Sequence, residues 1–272
     1  KGDRVDKLIR LTKAVAGKKR LLVLFSGGLD STVLARVARD ALGGESCALT
    51  FASRIVPVAD GEEALRVARS IGIRHVVVES NELDDPDFVS NPPERCFICR
   101  RKRDAIASRW AADNGFDVIA DGMNASDLSD YRPGLAASRE DGIWQPFVEL
   151  GMTKDDIRRA AAALGIEDPH RPSTVCLCSR IPWGMRIEEA LLRRIEAAEA
   201  FVRGLGFRQV RVRCFPYDTA IVQVEDQGRL LGMKGVVTDR LRDLGFSFVC
   251  LDLEGFTSGS LNRIVNGSVS RS

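Results

Sequence analysis

The stretch RLLVLFSGGLDSTVL (residues 20–34) restricts the architecture more than any other part of the chain. A continuous apolar run of strand length passes into Gly27-Gly28, and apolar residues at helical spacing follow immediately. A strand without polar alternation is buried on both faces, which is the habit of parallel sheets covered by helices. The same rhythm recurs downstream. Strands are expected at 46–51, 74–80 and 117–122, and helices at 30–42, 60–73 and 99–115. Alternation of this kind predicts an α/β domain with a parallel sheet and helices on both faces. Ligands of such sheets sit beyond the carboxyl ends of the strands, and the glycine turn is one such place.

The helix expected at 153–166 opens with Thr153 and Asp156 in capping-box spacing. A Pro-rich stretch, EDPHRPSTVCLCSRIPWG, reads as a domain junction, giving a first domain over 1–170 and a smaller α+β domain over 171–272. The second domain is expected to hold a helix at 187–204, strands at 209–215 and 219–225, a helix at 227–244 and a strand at 246–253. A net charge of +2 gives no general argument for nucleic acid, although the CRRKR run at 99–103 is a local basic patch. No apolar run reaches membrane-spanning length, and the N-terminal segment reads as a charged amphipathic helix rather than a signal peptide. The sequence begins without Met, which implies an earlier natural start. Seven cysteines in 272 residues do not resemble the framework of a small secreted domain, so a reduced, cytoplasmic protein is expected.

At the turn, Gly27 and Gly28 remove Cβ atoms where backbone N–H groups can point at an anion, and the helix N-terminus adds partial positive charge. Ser26, Ser31 and Thr32 add hydroxyl groups, while Asp30 suits Mg²⁺ or a helix cap rather than a bare phosphate. No Walker A sequence is present. SGGLDS resembles the pyrophosphate loop of the N-type ATP pyrophosphatases, which cleave ATP to AMP and pyrophosphate while activating a carbonyl oxygen. The resemblance covers roughly residues 18–160 and implies a second nucleotide loop in ADGMNASD, with Gly122 and Asn124.

Cys96 and Cys99 stand in C-x-x-C spacing, and Cys176 and Cys178 in C-x-C spacing. By themselves such pairs fit structural zinc, a redox dithiol or an iron–sulfur cluster. Arg95, Arg100 and Arg180 lie beside them, and neighbouring cations favour thiolates and anionic substrates. Cys47, Cys214 and Cys250 fall within strand runs and read as buried small hydrophobes. CLCSRIPWG, VRVR and DLEGFTSGSLN, with RCFICR ahead of them, resemble the LarE-type ATP-dependent sulfur transferases across nearly the whole chain. That family makes the nickel-pincer nucleotide cofactor of lactate racemase. The resemblance implies adenylation of the carboxylates of pyridinium-3,5-dicarboxylate mononucleotide and replacement of oxygen by sulfur. Some members sacrifice the sulfur of one cysteine, and others pass sulfide from a [4Fe-4S] cluster on three cysteines. Cys176 matches the reactive position, and Cys96 and Cys99 would complete the cluster. The family also implies a sulfide or other sulfur donor and a homo-oligomer.

Arg211 and Arg213 alternate with valines and so share one strand face. With Ser179 and Arg180 they could hold the substrate phosphate; the competing reading is a solvated strand edge. Glu196, Glu199 and Glu225 read as solvated acids, with a metal role as the competing reading, and His75 and His170 as isolated histidines. Competing functions are a tRNA thiolase, an amidating synthetase and an ATP-sensing module without turnover.

Overall fold

The computed structural model describes residues 2–129, 133–166, 175–257 and 261. It divides into two compact units, the first from residues 1–82 and 96–174, the second from 83–95 and 175–272. The segment Leu83–Arg95 thus groups with the second unit, while residues 167–174 of the expected junction, His170 included, lie outside the described residues.

The first unit is α/β. After α1 (Gly2–Ala16), it contains β1 (Leu21–Leu24), α2 (Leu29–Leu42), β2 (Ser46–Ala52), α3 (Val58–Ile71) and β3 (Arg74–Glu79). The second unit contributes α4 (Pro86–Val89), and α5 (Arg95–Asp113) leads back to β4 (Val118–Ala120). The helices α6 (Pro133–Glu140), α7 (Pro146–Glu149) and α8 (Lys154–Ala163) follow. The sheet order is β3-β2-β1-β4 with every pair parallel. Side chains alternate along β1, so Leu21 and Val23 join the core with Leu11, Val15 and Leu34. Leu22 and Leu24 join a second core with Ala107, Ala111 and Phe116. The apolar run at 21–24 is therefore buried on both faces, as its composition requires.

Strand order reverses at β1: β2 lies on one side and β4 on the other, which opens a crevice at their carboxyl ends. Two glycines let backbones close on that crevice. Gly27 has φ +72°, and a Cβ there would lie 2.8 Å from the Ala64 Cα of α3. A Cβ on Gly122 would lie 2.8 Å from the Ser31 N of α2.

The second unit holds α9 (Glu189–Gly204), β5 (Val210–Phe215), β6 (Thr219–Val224), α10 (Gln227–Gly232), α11 (Lys234–Asp243) and β7 (Phe248–Leu251). Strands β5 and β6 are antiparallel, and β6 and β7 are parallel. Val210, Val212, Cys214, Ala220, Val222 and Val224 are buried, with α9 packed on β5 and α11 on β7. The single helix expected at 227–244 is broken at Met233, where the backbone leaves helical geometry between α10 and α11. Cys47 and Cys214 are buried as expected, but Cys250 is exposed. It lies on the edge strand β7, on the same alternating face as the exposed Phe248, away from the packed side.

Glu199 is the clearest departure from the sequence reading. It is not a solvated acid: it forms a pair with Arg180 in which the side chains are 1% and 2% exposed. Both carboxylate oxygens are engaged, at 2.8 and 3.0 Å, by the Nε and Nη2 of Arg180. The same carboxylate accepts from the Val212 N of the edge strand and from Arg203 Nη2. Glu196 instead pairs with Arg193 on the helix surface, and the exposed Glu225 accepts from the Arg208 and Gln209 backbone N–H groups.

Gly122→Ala should cost about 1–3 kcal/mol in thermal or urea unfolding, because a methyl group would press on the α2 backbone. Glu199→Ala strands a buried guanidinium and should cost about 3–5 kcal/mol, read from urea denaturation of the second unit. Burial pushes the Glu199 carboxyl up, but Arg180, Arg211 and Arg203 outweigh it and hold it below its ordinary value. A lowered folded-state value means that this stabilisation is present above the ordinary Glu value and lost as pH falls through the folded one. Wild-type stability should therefore drop on acidification below about pH 4.3, and the drop should be smaller in Glu199→Gln.

Candidate active site

The glycine turn of the first unit is built at the carboxyl end of β1. Gly28 caps α2 with no side-chain acceptor, so the first-turn N–H groups are not served by a cap side chain. Such a terminus is suited to an anion. The hydroxyl groups of the turn divide by role. Ser26 Oγ lies 3.3 Å from Ser31 Oγ and accepts from Gly28 N. Ser31 Oγ also donates to Gly28 O. Thr32 is fully buried, and its Oγ1 donates to Gly28 O at 2.8 Å, so it braces the turn from behind.

Asp30 points into the crevice. Its Oδ2 accepts from Asn124 Nδ2 at 3.3 Å, and its Oδ1 is ion-paired with Lys154 Nζ at 2.5 Å. Asn124 is buried and its Oδ1 accepts from Ser126 N, which fixes the 121–127 loop beside the turn. The donor set fits Mg²⁺: Mg²⁺ is commonly held by one or two carboxylates together with substrate phosphates. Lys154 was not singled out in the sequence. A signal was present, because a lysine at the first position of a helix opposes the helix dipole and calls for another purpose.

Cys96 and Cys99 lie in the opening turns of α5, which starts earlier than the sequence spacing predicts. Cys96 is exposed and Cys99 half-buried. Cys99 Sγ donates to Glu82 Oε1 at 3.8 Å. Burial pushes the Glu82 carboxyl up, but the Arg103 charge and the hydrogen bonds from Ser53, Arg103 and Ser80 hold it below its ordinary value. The basic run of α5 is matched internally. Arg100 bridges Asp104 and Asp121, Arg101 pairs with Asp141, Lys102 donates to Asn81 O, and Arg103 pairs with Glu82. Burial raises the Asp121 carboxyl above its ordinary value despite Arg100. His75 is half-buried, lies 2.8 Å from Thr50 Oγ1 and packs edge-on to Phe25, a structural environment.

The second unit builds its own polar site. Cys176 caps a short 3-10 turn, Leu177–Arg180, and is half-exposed, whereas Cys178 is fully buried. Arg95 Nη1 donates to Cys178 O and to Asn91 Oδ1, so it supports the turn from below. Arg180 Nη1 donates to the carbonyls of Val175 and Cys176 and to Ser179 Oγ. Arg180 is thus turned inward, with Nη1 on the backbone around Cys176 and Nε and Nη2 on Glu199.

Arg211 and Arg213 do not form a solvated edge. Arg213 is buried, with Nε donating to Gln223 Oε1 and Nη1 to Ser179 O. Arg211 is half-buried, lies over the Phe256 ring at 5.1 Å, and has no hydrogen-bonded carboxylate among the described residues. Desolvation, then the charge of Arg180, lowers both guanidinium groups to about 10. Arg180 holds Glu199 directly, Asp252 and Glu199 act on Arg213 through their charge, and Arg211 has no carboxylate in hydrogen-bond contact among the described residues.

For iron, the donor chemistry of Cys96 and Cys99 is suitable: two accessible thiols at i and i+3 on one helix present the same side. Among the described residues no group of three or more His, Cys, Asp or Glu side chains is assembled to hold a metal ion. No helix among them is long and apolar enough to cross a membrane.

A family model described as NAD synthase matches residues 3–87, the part of the chain that carries the glycine turn. An uncharacterized protein of Synechocystis is 36% identical over 263 residues, 96% of this chain and 98% of its own. The pyridinium-3,5-bisthiocarboxylic acid mononucleotide synthase of Lactiplantibacillus plantarum is 32% identical over 255 residues, 93% of this chain and 92% of its own. The tRNA-specific 2-thiouridylase of Treponema denticola is 26% identical over 198 residues, 58% of this chain and 53% of its own. With a likeness that runs through both units, the chain belongs to the LarE-type family of ATP-dependent sulfurtransferases, within the pyrophosphate-loop superfamily.

Proposed function

We propose that this enzyme adenylates the carboxylates of pyridinium-3,5-dicarboxylate mononucleotide and replaces an oxygen of each with sulfur, in the making of a nickel-pincer nucleotide cofactor. The observation that carries the reading is Arg211, a desolvated guanidinium with no bonded carboxylate among the described residues, set in the same unit as Arg213 and the Cys176 turn. A phosphate monoester accepts paired guanidinium hydrogen bonds, and a desolvated arginine strengthens them. The relative from Lactiplantibacillus plantarum, named for the bisthiocarboxylic acid mononucleotide, supports the same substrate.

In the first step a carboxylate oxygen attacks the α-phosphorus of ATP, the α–β bond breaks, and pyrophosphate departs. The N–H groups of the Ser26–Asp30 turn would take up that charge, with Asp30 holding Mg²⁺. In the second step sulfide attacks the acyl carbon, the bond to AMP breaks, and AMP leaves with the former carboxylate oxygen while the sulfide proton goes to solvent. Cys96, Cys99 and Cys176 would hold a [4Fe-4S] cluster, which with only three protein ligands would supply an open iron for sulfide. Ser179 and Arg180 shape the Cys176 turn, while Arg211 and Arg213 orient the phosphate. On this reading residues 1–170 handle ATP and 171–272 handle substrate and sulfur, in a cytoplasmic homo-oligomer. The basic run on α5 does not favour a tRNA substrate, since each of its four cations already meets an internal acceptor.

Arg211→Ala should raise the KM for the mononucleotide by about tenfold or more, the loss of one charge-assisted hydrogen bond, with ATP affinity close to wild type. An unchanged KM would remove Arg211 from the phosphate site. Anaerobically reconstituted protein should contain iron and acid-labile sulfide and turn over repeatedly with added sulfide. Cys96→Ala, Cys99→Ala and Cys176→Ala should each lose the cluster, whereas Cys178→Ala should keep it. If Cys176 is sacrificed instead, Cys96→Ala and Cys99→Ala stay active, and spent protein loses the mass of H₂S at residue 176.

A further inference from the structure

The ion pair between Asp30 and Lys154 has a consequence for how the nucleotide site fills. Asp30 is the turn's one carboxylate, yet its Oδ1 already carries an ammonium at 2.5 Å. The pair is only partly screened from water, with side-chain exposures of 22% and 31%. Partly exposed pairs contribute little to folding, typically about 0–1 kcal/mol. Stability is therefore a weak reason for this lysine, and its position on α8 costs further: the first turn favours acids, and Asp155 and Asp156 supply them.

The backbone beneath Lys154 is firmly held. Thr153 and Asp156 form a reciprocal capping box, and Asp156 is also paired with Lys7 of α1. Lys154 N donates to Ser126 Oγ, and Ala125 N donates to Met152 O. The start of α8 is thus tied to the same loop that presents Asn124 to Asp30. A fixed backbone carrying a long, flexible, cationic side chain can move its charge without moving the fold.

We propose that Lys154 is a placeholder for the divalent cation: it neutralises Asp30 while the site is empty and passes to the pyrophosphate oxygens when metal takes the carboxylate. The inference rests on the reading of the Ser26–Asp30 turn as the ATP pyrophosphate site. It sets two roles in opposition. Lys154 competes with the metal for Asp30 and assists the metal in holding pyrophosphate. Both ligands of the exchange are anions served in turn by one ammonium, so no charge is left unpaired at either stage.

Binding measurements on the intact protein test this without turnover. Mn²⁺ serves as the metal probe, followed by electron paramagnetic resonance, and pyrophosphate and ATP are titrated by calorimetry with and without Mg²⁺. Lys154→Met should bind Mn²⁺ about tenfold more tightly than wild type in the absence of nucleotide, and bind pyrophosphate about tenfold more weakly. Lys154→Arg, which keeps the charge, should restore pyrophosphate binding. Adding Asp30→Asn to Lys154→Met should abolish the gain in Mn²⁺ affinity. A structural salt bridge would give a lower Tm with both affinities unchanged or both weakened, and either result overturns the proposal. Wild-type protein that binds neither ATP nor pyrophosphate would overturn the nucleotide site itself, which is a separate failure.

Discussion

The first unit depends on how closely three backbones approach at the end of β1. Gly27 admits α3, and Gly122 admits the loop after β4, each at a distance where a side chain would collide. With those approaches made, the N-terminus of α2, the carboxylate of Asp30 and the amide of Asn124 converge on one crevice. The parallel sheet supplies the crevice through its reversal of strand order, and the glycines decide what can line it. Ser31 and Thr32 then spend hydroxyl hydrogen bonds on Gly28 O, so the turn is held from within and its outer surface is left to a ligand.

The second unit is organised around a buried charge pair. Replacing such a pair with well-packed apolar residues is often neutral or stabilising, so Arg180 and Glu199 are better understood through the groups they orient. Glu199 joins α9 to the edge of β5, while Arg180 carries the same carboxylate's influence to three acceptors around Cys176. The outward thiol of Cys176 and the inward thiol of Cys178 are consequences of that local backbone, with Arg95 supporting the Cys178 carbonyl. Arg211 and Arg213 stand beside this pair, but the hydrogen bonds of Glu199 go to Arg180, Arg203 and the Val212 N–H rather than to them.

Charge in this protein is consequently a matter of local pairing rather than of net balance. The basic face suggested by residues 100–103 meets Asp121, Asp104, Asp141, Asn81 O and Glu82 inside the first unit. Arg211 contrasts with them, for it is desolvated and stacked on Phe256. A polyanion is read by many exposed cations, whereas a single phosphate group is read by a few buried ones.

The sequence by itself determined the α/β class, the parallel sheet and the place of the glycine turn, because apolar period, glycine pairs and capping residues act over a few neighbours. It also singled out Cys96, Cys99, Cys176, Arg211 and Arg213, whose spacing and residue type are local facts. The break at Met233 and the exposure of Cys250 escaped it, since both depend on which face another element covers. Tertiary structure alone decided the partners of charge. Lys154 reaches Asp30 across 124 positions of sequence, and Glu199 is buried because α9 lays it against Arg180 and the edge of β5. No local pattern encodes such pairings. A charged side chain reads as solvated until the fold removes its water and supplies the opposite charge.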